Sequence, residues 1–225
     1  MIALSCRSSV AKFAEFPRIP RPRNAILYVM NKSRNEPGPG RSAFVLSDEQ
    51  LRDLLMHALD TRERIILELM GLSALRLSEV CTLEIARVDV AGRTVQVIGK
   101  GDKLRTIAIA AGTADKLKVI IGKRRRGYVF DGRKGAPHIS ERMVQYMVQQ
   151  AGERIQFAQK APTLKHLNPH TLRHTAARRM KARGFDYEEI ARFLGHNDVA
   201  RAVMMYGTKT FKEIQEKADS NLFKL

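Results

Sequence analysis

The spacing of the apolar residues constrains the fold of this chain most, because the spacing changes period once and then changes back. From Phe44 onward, apolar residues recur mainly at intervals of three and four, as they do on one face of an α-helix. The exceptions are two short segments, Thr94–Ile98 and 104–109, which are rich in β-branched residues and typical of strands. The glycine-containing stretch 99–102 between them predicts a turn. The pattern therefore predicts an α+β fold that is mainly α-helical, with one small antiparallel β-sheet.

Helical spacing and helix-end signals predict the remaining elements. Ser47 with Gln50, and Asp186 with Glu189, have the spacing of capping boxes, which favour a helix start. Gly184 lies where a C-terminal helix cap is expected. The predicted helices cover residues 47–58, 61–72, 78–83, 112–122, 140–156, 170–183, 187–194 and 199–206, with a tail helix at about 210–220.

Residues 1–43 differ from the rest of the chain, because prolines and basic residues are interleaved there. Proline at this density disfavours a packed core. We interpret this segment as a basic, proline-rich arm or linker, and the alternative is a tail without a role. The folded domain is expected to cover residues 44–225.

The formal net charge of +17 favours a polyanionic partner. No apolar run approaches the roughly 20 residues that span a bilayer, so nucleic acid is preferred over a membrane surface. A basic protein of ribosomal type, or one that is merely soluble, is the alternative.

The two cysteines, Cys6 and Cys81, have neither metal-ligand spacing nor a disulfide framework, and no secretion signal precedes the domain. A cytoplasmic or nucleoid-associated location is therefore expected.

Four local motifs combine basic residues, histidines and one tyrosine. In chain order they are an arginine before a short helix, a lysine on the hairpin turn, a histidine and an arginine three residues apart, and a glycine–histidine pair followed by a tyrosine. Singly, each has an ordinary explanation as a phosphate contact, a turn residue, a helix cap or a half-buried aromatic. Their order along the chain points to one site, made of Arg76, Lys100, His170, Arg173, His196 and Tyr206.

In this order the motifs resemble the active site of the tyrosine recombinase family, most closely its Xer-like and integrase branch, over roughly residues 44–210. The resemblance implies a tyrosine recombinase catalytic domain and a site-specific DNA recombinase (integrase) that breaks and rejoins strands through a 3′-phosphotyrosyl intermediate. It implies that no metal ion, ATP or other cofactor is needed. The partner would be double-stranded DNA, bound by a protein that is a monomer when free and a homotetramer on two duplexes.

The residue types suit such a reaction. In-line attack on a phosphodiester builds negative charge on the nonbridging oxygens, and the guanidiniums of Arg76 and Arg173 match that charge and its geometry. A tyrosine hydroxyl is mostly protonated at neutral pH. If Tyr206 is the nucleophile it therefore needs a base, for which His170 is the candidate, while His196 is expected to donate a hydrogen bond to a nonbridging oxygen.

By the resemblance, Lys100 is the general acid that protonates the leaving 5′ oxygen. Lys103 and Arg105 lie nearby in sequence and are alternative donors, and together with Arg41 they are candidate DNA contacts. Glu79 is expected to orient the arginine at position 76 or to cap its helix, and not to be catalytic.

Two features depart from the family pattern. Most members carry a helical DNA-clamping domain before the catalytic one, whereas a basic arm precedes Phe44 here. The spacing from His196 to Tyr206 is one residue longer than is common in Xer-like members, and one residue turns a helix by about 100°. Two alternatives therefore stay open: a type IB topoisomerase that relaxes DNA as a monomer, and a non-catalytic DNA-binding protein derived from an integrase.

The predicted tail helix carries a narrow apolar stripe, formed by Phe211, Ile214, Ala218 and Leu222. Such a stripe either folds back onto its own domain or docks into a groove of a neighbouring protomer. The sequence does not decide between these two uses.

Overall fold

The computed structural model describes residues 44–98, 104–133, 135–194 and 215–223. This part of the chain is mainly helical with one small sheet, so the predicted fold class is confirmed. None of its helices is long and apolar enough to cross a bilayer. The helices are α1 Asp48–Met56, α2 Thr61–Gly71, α3 Leu77–Cys81, α4 Ala111–Ile121, α5 Glu141–Ile155, α6 Pro169–Ala182 and α7 Tyr187–Leu194, and the strands are β1 Val88–Asp89, β2 Thr94–Ile98 and β3 Leu104–Ala108. The predicted helix 199–206 lies outside the described residues.

The sheet is antiparallel, with the strand order β1-β2-β3. Strand β2 pairs with β3 along its whole length, up to the pair Ile98–Leu104, so the predicted hairpin is confirmed. The two-residue strand β1 was not predicted, because two residues are too few to show an alternating pattern. Val95 and Val97 of β2 are buried in the core, and the other face of the strand is more exposed.

Helix α2 lies at the centre of the core and contacts α1, α3, α4, α5 and α6. The apolar spacing along this helix indicates one inward face, formed by Ile65, Ile66, Leu69 and Met70. The structure buries these four residues, and it buries Leu67 on another face just as completely. The helix is therefore enclosed on all sides, which an apolar stripe alone does not reveal.

Two glutamates of α2 are buried, and both are paired with basic residues. Glu63 accepts a hydrogen bond from Arg154 of α5 at 2.7 Å. Glu68 contacts Arg64 at 2.6 Å and Lys116 of α4 at 3.1 Å. A buried carboxylate is tolerated only when it is paired, so these contacts tie the central helix to α4 and α5.

Three predicted helix ends are confirmed. Ser47 and Gln50 exchange side-chain to backbone hydrogen bonds at the start of α1. Asp186 and Glu189 make the same exchange at the start of α7. Gly184 follows α6 with a φ of +78°, a left-handed conformation that favours glycine.

The described part of the tail packs onto its own domain. Ala218–Leu222 form a π-helix, and both of these end residues are buried. Arg179 of α6 donates a hydrogen bond to the Leu222 carbonyl at 3.0 Å, and Lys217 pairs with Glu189 at 2.8 Å. Of the two uses left open by the sequence, residues 215–223 therefore adopt the first, whereas Phe211 and Ile214 of the stripe lie outside the described residues.

Replacing Leu222 with alanine is expected to lower the free energy of unfolding by about 2–5 kcal/mol, the range for truncating a buried leucine. The measurement is denaturant unfolding. The matched control is Asn221→Ala, at an exposed neighbouring position, which should change stability by no more than about 0.5 kcal/mol. Equal unfolding free energies for the two variants would contradict the packing of the tail on its own domain.

Cys81, at the end of α3, is buried. Burial, helped by the charge of Glu141, raises the pKa of its thiol to about 12. Because the thiolate is the reactive species, we expect Cys81 to resist iodoacetamide at neutral pH in the folded protein. In a Cys6→Ser variant, where Cys81 is the only thiol, mass spectrometry should detect alkylation only after denaturant is added. Rapid alkylation without denaturant would show that α3 opens readily.

Candidate active site

Arg76 is held at the start of α3 by Glu79. The backbone N–H of Arg76 donates to one oxygen of Glu79, and its guanidinium donates to the other, both at 2.8 Å. Glu79 therefore both caps the helix and orients the arginine. The residue two positions earlier, Ala74, is buried with a φ of +57°, a left-handed conformation that is costly for alanine.

Arg173 joins three parts of the domain. It lies on α6, and its guanidinium donates hydrogen bonds to the carbonyl of Ala74, before α3, and at 2.7 Å to that of Leu194, at the end of α7. Burial, together with the charges of Arg76 and Arg105 and against the opposing charge of Glu79, lowers the pKa of Arg173 to about 10. Arg173 is still protonated at neutral pH, so positive charge is concentrated here.

A third arginine, Arg105 of β3, faces the same carboxylate. Its two terminal nitrogens lie 2.8 Å from the two oxygens of Glu79. Burial raises the pKa of Glu79, but the hydrogen bonds and charges of Arg105 and Arg76 outweigh burial and leave the pKa below its usual value. Glu79 is therefore ionised at neutral pH and holds two arginines at once.

The histidines of α6 occupy consecutive turns on one side of the helix. His170 is exposed near the start of α6, and its ring stacks on His174 with the centroids 5.9 Å apart. Burial, together with the charges of His170 and Arg173, lowers the pKa of His174. His174 is therefore neutral at neutral pH, and the exposed His170 stays accessible to a ligand.

Two other histidines make ordinary local contacts in the structure. The Nδ1 atom of His57 lies 2.9 Å from the carbonyl of Asp53. The Nδ1 atom of His138 lies 2.8 Å from the carbonyl of Ile139, and the ring packs edge-on against Tyr128. Neither histidine contacts the arginines of the candidate site in the described part of the chain.

The structure brings Arg76 and Arg173 into one electrostatic cluster and places His170 one helical turn from Arg173. Apart from Arg105, the remaining candidates lie outside the described residues. Two of them, Lys100 and Lys103, belong to the connection between β2 and β3. The others are Arg41, His196 and Tyr206.

The sequence did not predict the contact between Arg105 and Glu79, although the strand pattern contained a signal for it. Side chains at positions i and i+2 of a strand lie on one face. Arg105 therefore shares the face of the buried Ile107, and it lies opposite the buried Val97 of β2. An arginine on the inward face of a strand needs a buried anionic partner, and this requirement predicts a buried carboxylate close by.

The arrangement suits the binding of a phosphate diester. The guanidiniums of Arg76, Arg105 and Arg173 interact electrostatically around the single carboxylate of Glu79, so the cluster carries excess positive charge. The side chain of Arg76 is 35% exposed. Its hydrogen bond to Glu79 fixes the orientation of its guanidinium. Guanidiniums held in place in this way bind phosphate oxygens through paired hydrogen bonds.

The sequence matches the Phage integrase family over residues 45–213. The tyrosine recombinase XerC of Pseudomonas putida is 32% identical over 193 residues, which are 81% of this chain and 62% of the relative. The chain thus spans less than two thirds of the length of this curated relative.

Solved structures show the same fold. The structure of the XerA recombinase matches with a TM-score of 0.60 at 25% identity, covering 83% of this chain and 68% of that protein. The integrase from mycobacterium phage Brujita matches with a TM-score of 0.65 at 19% identity, covering 83% of this chain and 61% of that protein.

Proposed function

Because the chain belongs to the phage integrase family, we propose that it is the catalytic part of a site-specific DNA recombinase that acts through a tyrosine nucleophile. The observation that carries the proposal is the cluster of Arg76 and Arg173, fixed by Glu79 and by the ends of α3 and α7. The identity with XerC supports the reaction class.

In the proposed reaction, the Tyr206 hydroxyl oxygen attacks a backbone phosphorus of DNA. A bond forms between that oxygen and phosphorus, and the bond from phosphorus to the 5′ oxygen breaks. The tyrosine proton passes to His170, and the leaving oxygen takes a proton from Lys100. The product is a 3′-phosphotyrosyl link with a free 5′ hydroxyl, and attack by a 5′ hydroxyl reverses the step.

Arg76 and Arg173 neutralise the charge that develops on the nonbridging oxygens. Preorganised donors of this kind cost no reorganisation at the moment of reaction, and the contacts of both arginines with the protein supply that preorganisation. His196 is proposed to complete this set by donating a hydrogen bond to a nonbridging oxygen.

The proposed substrate is double-stranded DNA, with the net charge of +17 supplying attraction to its phosphates. Arg41 and Lys103 are proposed as backbone contacts. Exchange between two duplexes is proposed to require four protomers, since each protomer breaks one strand and two duplexes have four.

The experiment that tests the function is incubation with nicked suicide duplexes, taken from the genomic neighbourhood of the coding sequence and assayed with EDTA present. Covalent protein–DNA adducts on a denaturing gel are the expected result. A supercoiled plasmid with two sites then separates recombination from relaxation alone, which would indicate a topoisomerase. DNA binding without any adduct would reject catalysis.

Lys100→Ala is expected to slow cleavage by about 10²–10⁴-fold, the usual contribution of a general acid. Sulfur in place of the bridging 5′ oxygen gives a leaving group that needs no proton. That substrate should restore the Lys100→Ala rate, measured in single-turnover cleavage, but should not restore Arg173→Ala. If it restores neither variant, Lys100 acts as a phosphate contact rather than as the acid.

A further inference from the structure

Arg105 is the one arginine of the cluster to which the proposed reaction gives no part. Its side chain is only 13% exposed, and Glu79, at 4%, is almost fully enclosed. The contact links β3 to the start of α3, which lie 26 positions apart in the chain. An ion pair buried to this degree loses the hydration of both charges, so removing one partner is far more disruptive than at the surface.

The Glu79 carboxylate divides its two oxygens between two arginines. One oxygen contacts a terminal nitrogen of Arg76 and a terminal nitrogen of Arg105. The other oxygen accepts from the backbone N–H of Arg76 and from the second terminal nitrogen of Arg105. The plane of the carboxylate is therefore fixed by Arg105 together with the backbone N–H of Arg76, and the direction of the Arg76 guanidinium follows from that plane.

We propose that Arg105 is a positioning residue for the strand-cleavage reaction, which holds Glu79 so that Glu79 fixes Arg76 beside Arg173. The inference rests on the proposed function and adds to it a residue that does not touch the DNA. It makes the β-sheet part of the active-site framework, because Arg105 is anchored on β3 through the pairing of β3 with β2.

The alternatives for Arg105 fit the geometry less well. A direct DNA contact needs free donors at the surface, whereas one terminal nitrogen of Arg105 donates to Glu79 and its other terminal nitrogen and Nε are buried. A proton donor needs a group that gives up its proton near neutral pH, and a guanidinium does not do so.

The test compares Arg105→Lys and Arg105→Met with Arg154→Met in the full chain. Arg154 is a matched control, because it also pairs with a buried glutamate, Glu63, at 2.7 Å, but outside the arginine cluster. Single-turnover cleavage is measured at saturating DNA, together with the DNA dissociation constant and the melting temperature of each variant. Arg105→Lys keeps the charge but not the two-pronged contact, so it separates misplacement from loss of folding.

We expect both Arg105 variants to cleave more slowly, by up to about 10²-fold, which is the effect of misplacing a reacting group by about 1 Å. Binding should be unchanged, and Arg154→Met should cleave like the wild type. A methylphosphonate substrate lacks the nonbridging charge that Arg76 neutralises. With this substrate, the difference in cleavage rate between wild type and Arg105→Lys should become smaller, and so should the difference between wild type and Arg76→Ala.

Three results would overturn the inference. The first is that Arg105→Lys and a folded Arg105→Met cleave DNA at the wild-type rate. The second is that weaker DNA binding is the only defect of the Arg105 variants. The third is that a bridging sulfur, and not methylphosphonate, restores their cleavage rate. Absence of adducts with the wild type would instead reject the proposed function, so the two failures are distinguishable.

Discussion

Replacing Tyr206 with phenylalanine is expected to abolish covalent attachment to DNA and to leave DNA affinity unchanged. The change removes one oxygen and little volume, so the surface presented to DNA is preserved. The proposed reaction passes through a bond between that oxygen and phosphorus, and without it no intermediate forms. The measurement is a denaturing gel for adducts on a suicide duplex, paired with a native gel for binding.

The matched control is Tyr146→Phe, which removes the same oxygen from an exposed tyrosine of α5. This variant should form adducts at the wild-type rate. Adducts from Tyr206→Phe at the wild-type level would mean that another residue is the nucleophile. The chain has five tyrosines, and peptide mapping of the adduct would identify which one is attached.

The fold was largely predictable because its elements are long enough to show a period. Helices α1 to α7 were predicted to within a few residues, and the hairpin was identified by its change of period and its glycine-containing turn. Strand β1 and the short 3-10 helix Pro162–His166 were missed, because each is shorter than the pattern that defines it. The tail was predicted as an ordinary helix, whereas Ala218–Leu222 form a π-helix, and spacing alone does not distinguish these two forms.

The sequence predicted which residues form the candidate site, but it did not predict the long-range contacts that hold them in place. The order of the motifs gave Arg76 and Arg173 as a pair, and the local spacing of Arg76 and Glu79 gave their contact. The role of Arg105 depends on a contact between β3 and α3, and a contact between distant segments leaves no local spacing to recognise. The hydrogen bond from Arg173 to the carbonyl of Leu194 could not be predicted from the sequence either, because every residue has a backbone carbonyl.

Replacing Arg173 with lysine is expected to slow cleavage by about 10²–10³-fold, the cost of removing a preorganised donor to the developing charge. A lysine has one terminal nitrogen, so it does not reach the carbonyls of Ala74 and Leu194 together, as Arg173 does. It also loses the paired geometry that a guanidinium offers to phosphate. Single-turnover cleavage at saturating DNA measures the effect, and Arg178→Lys, at an exposed position of the same helix, is the control.

The pH dependence of Arg173→Lys gives a second and sharper test. The surroundings lower the pKa of Arg173 from its ordinary range to about 10, through burial first and then through the charges of Arg76 and Arg105, which outweigh the opposing charge of Glu79. The same causes act on a lysine, whose ordinary pKa is about 10.4, so its amine loses charge in a pH range where the arginine stays protonated. An amine is charged below its pKa, so the rate of the variant relative to wild type should rise as the pH falls. Taking this ratio cancels the effects of pH that are common to both proteins. A ratio that stays constant with pH would mean that the lysine keeps its charge and that the defect is one of geometry alone.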